Sequence, residues 1–299
     1  MAKSIKNLRV QNLPVLGAAL AAEPIFQLGN FPVTNALLNA WIVTLFFIVV
    51  AVVASRRNSL VPRGIHNVFE AMMVFMIGEM DKVTGSRKKT KLFFPLVATL
   101  FLFILANNWL GLVPGTGTIG VYGMMHGHVE LIPLLRPATA DLNLTLALAA
   151  FSVVVVQLAG VQGVGFMNYF SKFVNIRGIF RAIPKGPVAV GVAIIEFFVG
   201  LLEIVGEVAR IASLSLRLFG NVFAGEILIG VMLSLVSFVI PIPFMFLEIL
   251  VGVIQASVFA LLVLVFLTVA TMEHGHAEGE EHESKVDSQK SKAVNSAHA

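Results

Sequence analysis

A chain of 299 residues that is 57% hydrophobic and only 13% charged is too apolar for a water-soluble globule, so it belongs in a lipid bilayer. The formal net charge of +4 on so apolar a chain reflects its loops rather than a nucleic-acid surface. Having no cysteine, it forms no disulfide, thiolate metal site or cysteine nucleophile.

At the amino end, Lys3, Lys6 and Arg9 lead into a short apolar run that finishes in small residues near Ala22, the outline of a signal peptide. Gln11, Asn12 and Pro14 interrupt that run, and the competing reading is a leader lying on the membrane surface. Residues 1–31 are therefore set apart from a membrane domain expected over 32–272.

Apolar stretches over 33–54, 92–113 and 142–164 are each long enough to cross a hydrocarbon core about 30 Å thick. Between the first two lie Arg56, Arg57, Arg63, Lys82, Arg87, Lys88, Lys89 and Lys91, a basic loop that the positive-inside rule assigns to the cytoplasm. Inside that loop, Val68, Met72, Phe75 and Met76 recur at helical spacing, which predicts an amphipathic helix along the inner interface over 65–80. The segment 115–140, with His126, His128, Glu130 and a single Arg136, is then expected outside, and the loop bearing Lys172, Arg177, Arg181 and Lys185 inside. Solvation in the external loop is the favoured reading of its histidines.

From 187 to 240 hydrophobicity hardly breaks, and a helix of that length measures roughly 75 Å, so it must tilt or bend near Gly220 and Asn221. After Pro241 and Pro243 a second overlong run reaches 272, and a polar tail over 273–299 reads as disordered and cytoplasmic. His274, His276 and His282 in that tail are assigned no metal. The fold expected is an all-α membrane protein with about five crossings, an external amino end and an internal carboxyl end. Its last two crossings form a long tilted hairpin beside the inner-surface amphipathic helix.

Ionisable groups at membrane depth cost about 2.5 to 3.5 kcal/mol each on insertion scales, so those of the hairpin need an explanation. Glu196, Glu203, Arg210 and Arg217 recur every seven residues, and Glu207, Ser213 and Asn221 lie three or four residues from members of that series, giving one polar stripe. Glu203 and Glu207 are placed to pair with Arg210, which is the purely structural account of that part of the stripe. Arg217 has no carboxylate three or four residues away. A guanidinium keeps its proton at any physiological pH, so Arg217 needs a partner elsewhere, an escape to the surface or a backbone carbonyl. An antiparallel turn centred near residue 236 or 237 sets Arg217 level with Gln255 and Glu226 level with Glu248. The second layer would bring two carboxyls together that resist simultaneous ionisation, either as a proton relay or as a pair sharing one structural proton.

The run Ser213-Leu-Ser-Leu-Arg217-Leu-Phe-Gly-Asn221, followed by Ala224-Gly-Glu226, resembles the signature of subunit a of F-type ATP synthases. Asn108-Trp-Leu-Gly-Leu-Val-Pro114, Pro137-Ala-Thr-Ala-Asp141-Leu-Asn143-Leu-Thr145, Pro241-Ile-Pro-Phe-Met-Phe and Ile254-Gln255-Ala256 extend the resemblance along most of the chain. It implies a stator subunit without catalytic activity of its own or a cofactor, lying in a bacterial inner membrane. Its implied partners are a rotating c-subunit ring, the peripheral-stalk subunit b and the rest of the complex. By the same resemblance Arg217 faces the ring carboxylate between two offset half-channels, with Asn221, Glu226 and Gln255 near the ion path and Glu203, Asp141 and Asn143 on the aqueous access routes. Glu248 stands where familiar bacterial members often carry histidine, which leaves a relay chemically open but alters its working pH. Two other classes compete with this reading: a proton-coupled transporter of an anionic substrate, and a purely structural membrane scaffold.

Overall fold

The computed structural model describes residues 22–29, 31–55, 65–113, 119–125, 128–165, 187–235 and 239–297. Residues 1–21 of the leader, the loop with Lys172, Arg177, Arg181 and Lys185, His126 and the basic residues Arg56, Arg57 and Arg63 lie outside them. Six helices carry most of the described chain: α1 (Asn35–Ser55), α2 (Ile65–Thr84), α3 (Arg87–Gly111), α4 (Leu142–Val164), α5 (Pro187–Leu235) and α6 (Pro241–Ala297). All but α2 contain a stretch long and apolar enough to cross a membrane, giving five candidate spans.

These helices start and stop where side-chain chemistry directs. Asp141 caps α4 by accepting the Asn143 backbone N–H, and Gly165 ends it at φ 82, a left-handed conformation that favours glycine. The α5 helix runs unbroken for 49 residues through Gly220 and Asn221, so its excess length is taken up without a break in the helix at those residues. Backbone helix in α6 continues to Ala297, through the segment whose composition reads as disordered. Ala, Glu and Lys in that tail are good helix formers, and the preceding span supplies a ready nucleus.

The chain is the helical membrane protein expected, and two short antiparallel hairpins accompany its helices: β1 (Pro24–Leu28) with β2 (Phe31–Thr34), and β3 (Gly120–Met125) with β4 (His128–Pro133). The first turns at Gly29, whose φ of 67 lies in the left-handed region that favours glycine. Asn35 ties the hairpins together, accepting the Glu23 backbone N–H at 3.2 Å and donating to the Pro133 carbonyl at 3.3 Å.

The core lies where α3, α4, α5 and α6 meet. Ile104, Leu218, Phe259, Val263 and Leu264 are fully buried there, with Phe93, Val97, Val153, Val156 and Leu214 around them. Cross-links hold the polar edges: the Thr145 and Ser215 hydroxyls meet at 3.3 Å between α4 and α5, and Trp109 Nε1 donates to the Ile249 carbonyl at 3.3 Å between α3 and α6. Gly111 lets the Pro137 ring pack directly on α3, where any Cβ would overlap it.

Candidate functional site

The α5–α6 hairpin puts its charges on one side of the core. Leu214 and Leu218, on the inward face of α5, are buried, and Arg217 between them is turned outward and exposed. Among the described residues it makes no hydrogen bond or ion pair. It borders an open cavity of about 300 Å³ together with Arg210, Ser213 and the α6 residues Leu262 and Phe266. In that cavity the two arginines differ: Arg210 is tied to Glu207 at 2.8 and 2.9 Å and lies over the Phe266 ring at 4.1 Å. Glu207 is therefore Arg210's partner, the pairing allowed by helical spacing.

Gln255, which hairpin register places level with Arg217, is buried and instead accepts from Asn221 Nδ2 at 2.6 Å. Asn221 lies one helical turn beyond Arg217, a slip that a residue count along two parallel rods leaves out because packed helices generally cross at an angle. The Gln255 Nε2 amide is buried without a protein partner among the described residues, as are both side-chain amide atoms of Asn39, Asn107 Oδ1 and Asn108 Nδ2. At membrane depth such groups are the sites that internal water satisfies.

The carboxylate layer forms, with a change of partner. Glu226 Oε2 accepts from Arg136 Nη2 at 3.1 Å and Nε at 3.3 Å, with the Arg136 side chain 5% exposed and that of Glu226 26%. Glu248 lies one residue away along α5, its carboxyl seated against Gly225, where a Cβ would collide with it. Among the described residues Glu248 makes no hydrogen bond or ion pair. The two glutamates thus share a layer but not a proton-sharing contact, because an arginine satisfies one of them.

That arginine is the residue sequence reading missed. Charge counting places Arg136 only in the external segment 115–140; the structure buries its side chain, and Ala138, Thr139 and Ala140 after it form a buried 3-10 turn packed against α1 and α3. Small side chains permit this close approach, and Thr139 Oγ1 donates to Asn108 Oδ1 at 2.6 Å. The one available signal was a lone arginine directly before Pro137 in a segment with no other Arg or Lys. Asp141, buried, follows that turn and is committed to capping α4, with the exposed Asn143 donating to it through both backbone N–H and Nδ2. Glu203 sits half-buried on α5, two turns before Arg210. The structure therefore gathers Glu226, Glu248, Asn221 and Gln255 along one seam, sets Arg217 on its outer side, and leaves Asp141 and Asn143 at the end of α4.

Five spanning helices with an outward arginine on a charged hairpin define a polytopic membrane protein built to handle ions. Residues 37–268 match the family described as ATP synthase A chain. The chain is 32% identical over 252 residues to an ATP synthase subunit a of Moorella thermoacetica, covering 84% of this chain and 96% of that one. It is 33% identical to the subunit a of Campylobacter jejuni over 79% of this chain and 89% of that one, and 34% identical to a subunit a 2 of Syntrophotalea carbinolica over 86% and 92%. The chain belongs to the ATP synthase subunit a family. It is a multi-pass, ion-translocating stator component of that complex, associated with its other parts and not itself the catalytic subunit. The transporter and scaffold readings are set aside.

Proposed function

We propose that this chain presents two offset aqueous half-channels to a rotating ring of c subunits and that Arg217 keeps them apart. The observation that carries the reading is an arginine exposed on the flank of a spanning helix, with no intramolecular partner among the described residues. A permanent cation in that position is costly unless an anion outside the chain meets it. A ring carboxylate that arrives protonated is neutral; beside Arg217 its ionised form is favoured and the proton leaves by the exit path. At about 4 Å and an effective dielectric near 20 the attraction is on the order of 4 kcal/mol. A membrane potential of about 100 mV supplies roughly 2.3 kcal/mol per charge, so the pair can still be pulled apart when several protons drive the ring.

On the external side, Glu226 and Glu248 form the proton-handling layer, reached past the buried amide of Asn39 and the buried atoms Asn107 Oδ1 and Asn108 Nδ2, none of which has a partner among the described residues. Asp141 and Asn143 border that route, Asn221 and Gln255 position the seam, and Glu203 serves the internal route. Because Arg136 already neutralises Glu226, Glu248 is the layer's exchanging carboxyl. The reading places the amino end outside and the carboxyl end in the cytoplasm of a bacterial cell, with subunit b as stalk partner.

The test is Arg217→Ala in the assembled complex, reconstituted in vesicles. Proton-driven ATP synthesis is expected to vanish while complex yield holds, and Arg217→Lys to fail as well, since an ammonium can lose its proton and lacks the planar fork. Synthesis that persists in Arg217→Ala vesicles overturns the proposal.

A further inference from the structure

We propose that Glu207 is a positioning residue for rotor coupling: it keeps Arg210 neutralised and laid over Phe266, so that the cavity beside the hairpin offers one free cation rather than two. The inference rests on the half-channel reading of Arg217 but concerns a pair to which that reading gives no work.

Arg210 and Arg217 border the same cavity, two helical turns apart, roughly 10 Å along the axis. Neither can be silenced by losing a proton. A passing ring carboxylate would meet both, and a second capture point on the internal side of Arg217 would hold the carboxylate ionised after it should have moved on. In the structure that competition is blocked twice. Both Glu207 carboxylate oxygens accept from the same Arg210 Nη1, at 2.8 and 2.9 Å, and the guanidinium carbon rests 4.1 Å from the Phe266 ring centroid. The Glu207 side chain is 18% exposed and that of Arg210 30%, so the pair is shielded more than a surface ion pair, and the ring covers the cation's face.

A purely structural role for this pair, one spacing of three residues on a helix, adds little to stability and predicts no effect on coupling. Positioning predicts something different: the defect of losing Glu207 comes from the arginine set free and disappears when that arginine is removed too.

The experiment uses the whole ATP synthase in vesicles, reading proton-driven ATP synthesis, ATP-driven proton pumping and complex yield. Glu207→Gln is expected to lower synthesis roughly tenfold at unchanged yield, as a freed charge about 10 Å from Arg217 attracts the same carboxylate. Glu207→Gln/Arg210→Gln is expected to return most of the activity. Phe266→Leu, which removes the ring but keeps the carboxylate, is expected to give a smaller loss, again relieved by Arg210→Gln, and it decides the matter if Glu207→Gln does not assemble. A single Glu207→Gln variant as active as the parent, or a double variant as impaired as the single, overturns the inference. Arg217→Ala run alongside separates the two ideas: if it is inactive while Glu207→Gln is normal, the half-channel reading stands and only the positioning role falls.

Discussion

Each guanidinium in the bilayer needs an answer, and the described membrane helices and their buried turn supply three kinds. Arg136 has a carboxylate ninety residues away, Arg210 a carboxylate three residues away and an aromatic face, and Arg217 none among the described residues. The first answer predicts a measurable dependence. Removing Arg136 leaves Glu226 largely buried without its counter-ion, a change of the kind that costs about 3 kcal/mol or more. Arg136→Gln is therefore expected to lower the thermal midpoint of the detergent-solubilised complex and to reduce synthesis, while Arg136→Gln/Glu226→Gln recovers the midpoint but not the synthesis. Differential scanning of the three variants checks it; a double variant no more stable than the single removes Arg136 from its counter-ion role. At this scale the sequence exposed what local spacing governs: Arg217 stood out because no carboxylate lies within a helical turn, and the Glu207–Arg210 pair was visible for the same reason. The Arg136–Glu226 pair was not, since two residues so far apart are joined only by the inward fold of 137–140, which no periodicity encodes.

Among elements, the joints matter more than the rods. The α3 helix is packed against the 137–140 turn through Gly111, so Gly111→Ala drives a methyl into the Pro137 ring and is expected to cost about 1 to 3 kcal/mol, seen as reduced yield of folded complex. Pro137→Ala in the same chain should recover part of that loss, because the atoms in conflict are those of the ring. The α2–α3 joint titrates. Asp81 at the end of α2 is held below its ordinary value of 3.8, first by the neighbouring Thr90 hydroxyl and then by the Arg87 guanidinium. A carboxyl with a lowered folded value contributes stability that is complete above 3.8 and is lost only as pH falls through the folded value. Protection of the Gly85 amide, whose N–H bonds the Asp81 carbonyl, taken relative to its intrinsic exchange rate, is thus expected to be constant above 3.8 and to fall as pH drops through the folded value, and Asp81→Asn to abolish that acid limb. Helix α2 illustrates what periodicity can reach: its apolar spacing placed it over 65–80, close to the observed Ile65–Thr84. The two hairpins escaped because each strand is only four to six residues long, too short for alternation to emerge against an apolar background.

For the molecule as a whole, the decisive matter is which outer face meets protein and which meets lipid, since apolar side chains suit both. Leu216 is 57% exposed beside Arg217, and Phe151 on α4 is 53% exposed on another flank, so exposure alone does not distinguish them. Charge does: the flank with Arg217 carries a cation that lipid tails cannot satisfy, whereas Phe151 has apolar neighbours on its own helix. The Arg217 flank is therefore the one expected to be covered by the ring. The absence of cysteine makes this testable without background, because one introduced thiol is the only thiol of the chain. Disulfide formation requires Cα atoms within about 7 Å, so Leu216→Cys should cross-link to a cysteine placed at mid-membrane on the outer helix of a c subunit. Leu218→Cys, fully buried one residue past Arg217, and Phe151→Cys should not. Bands of subunit a joined to one c subunit, seen on non-reducing gels for Leu216→Cys alone, are the expected outcome, and such a link should also arrest ATP-driven pumping until a reductant is added. Cross-linking from Phe151→Cys instead would put the rotor against the Phe151 face of α4 and leave Arg217 facing lipid, a placement that the cost of a bare guanidinium in hydrocarbon argues against.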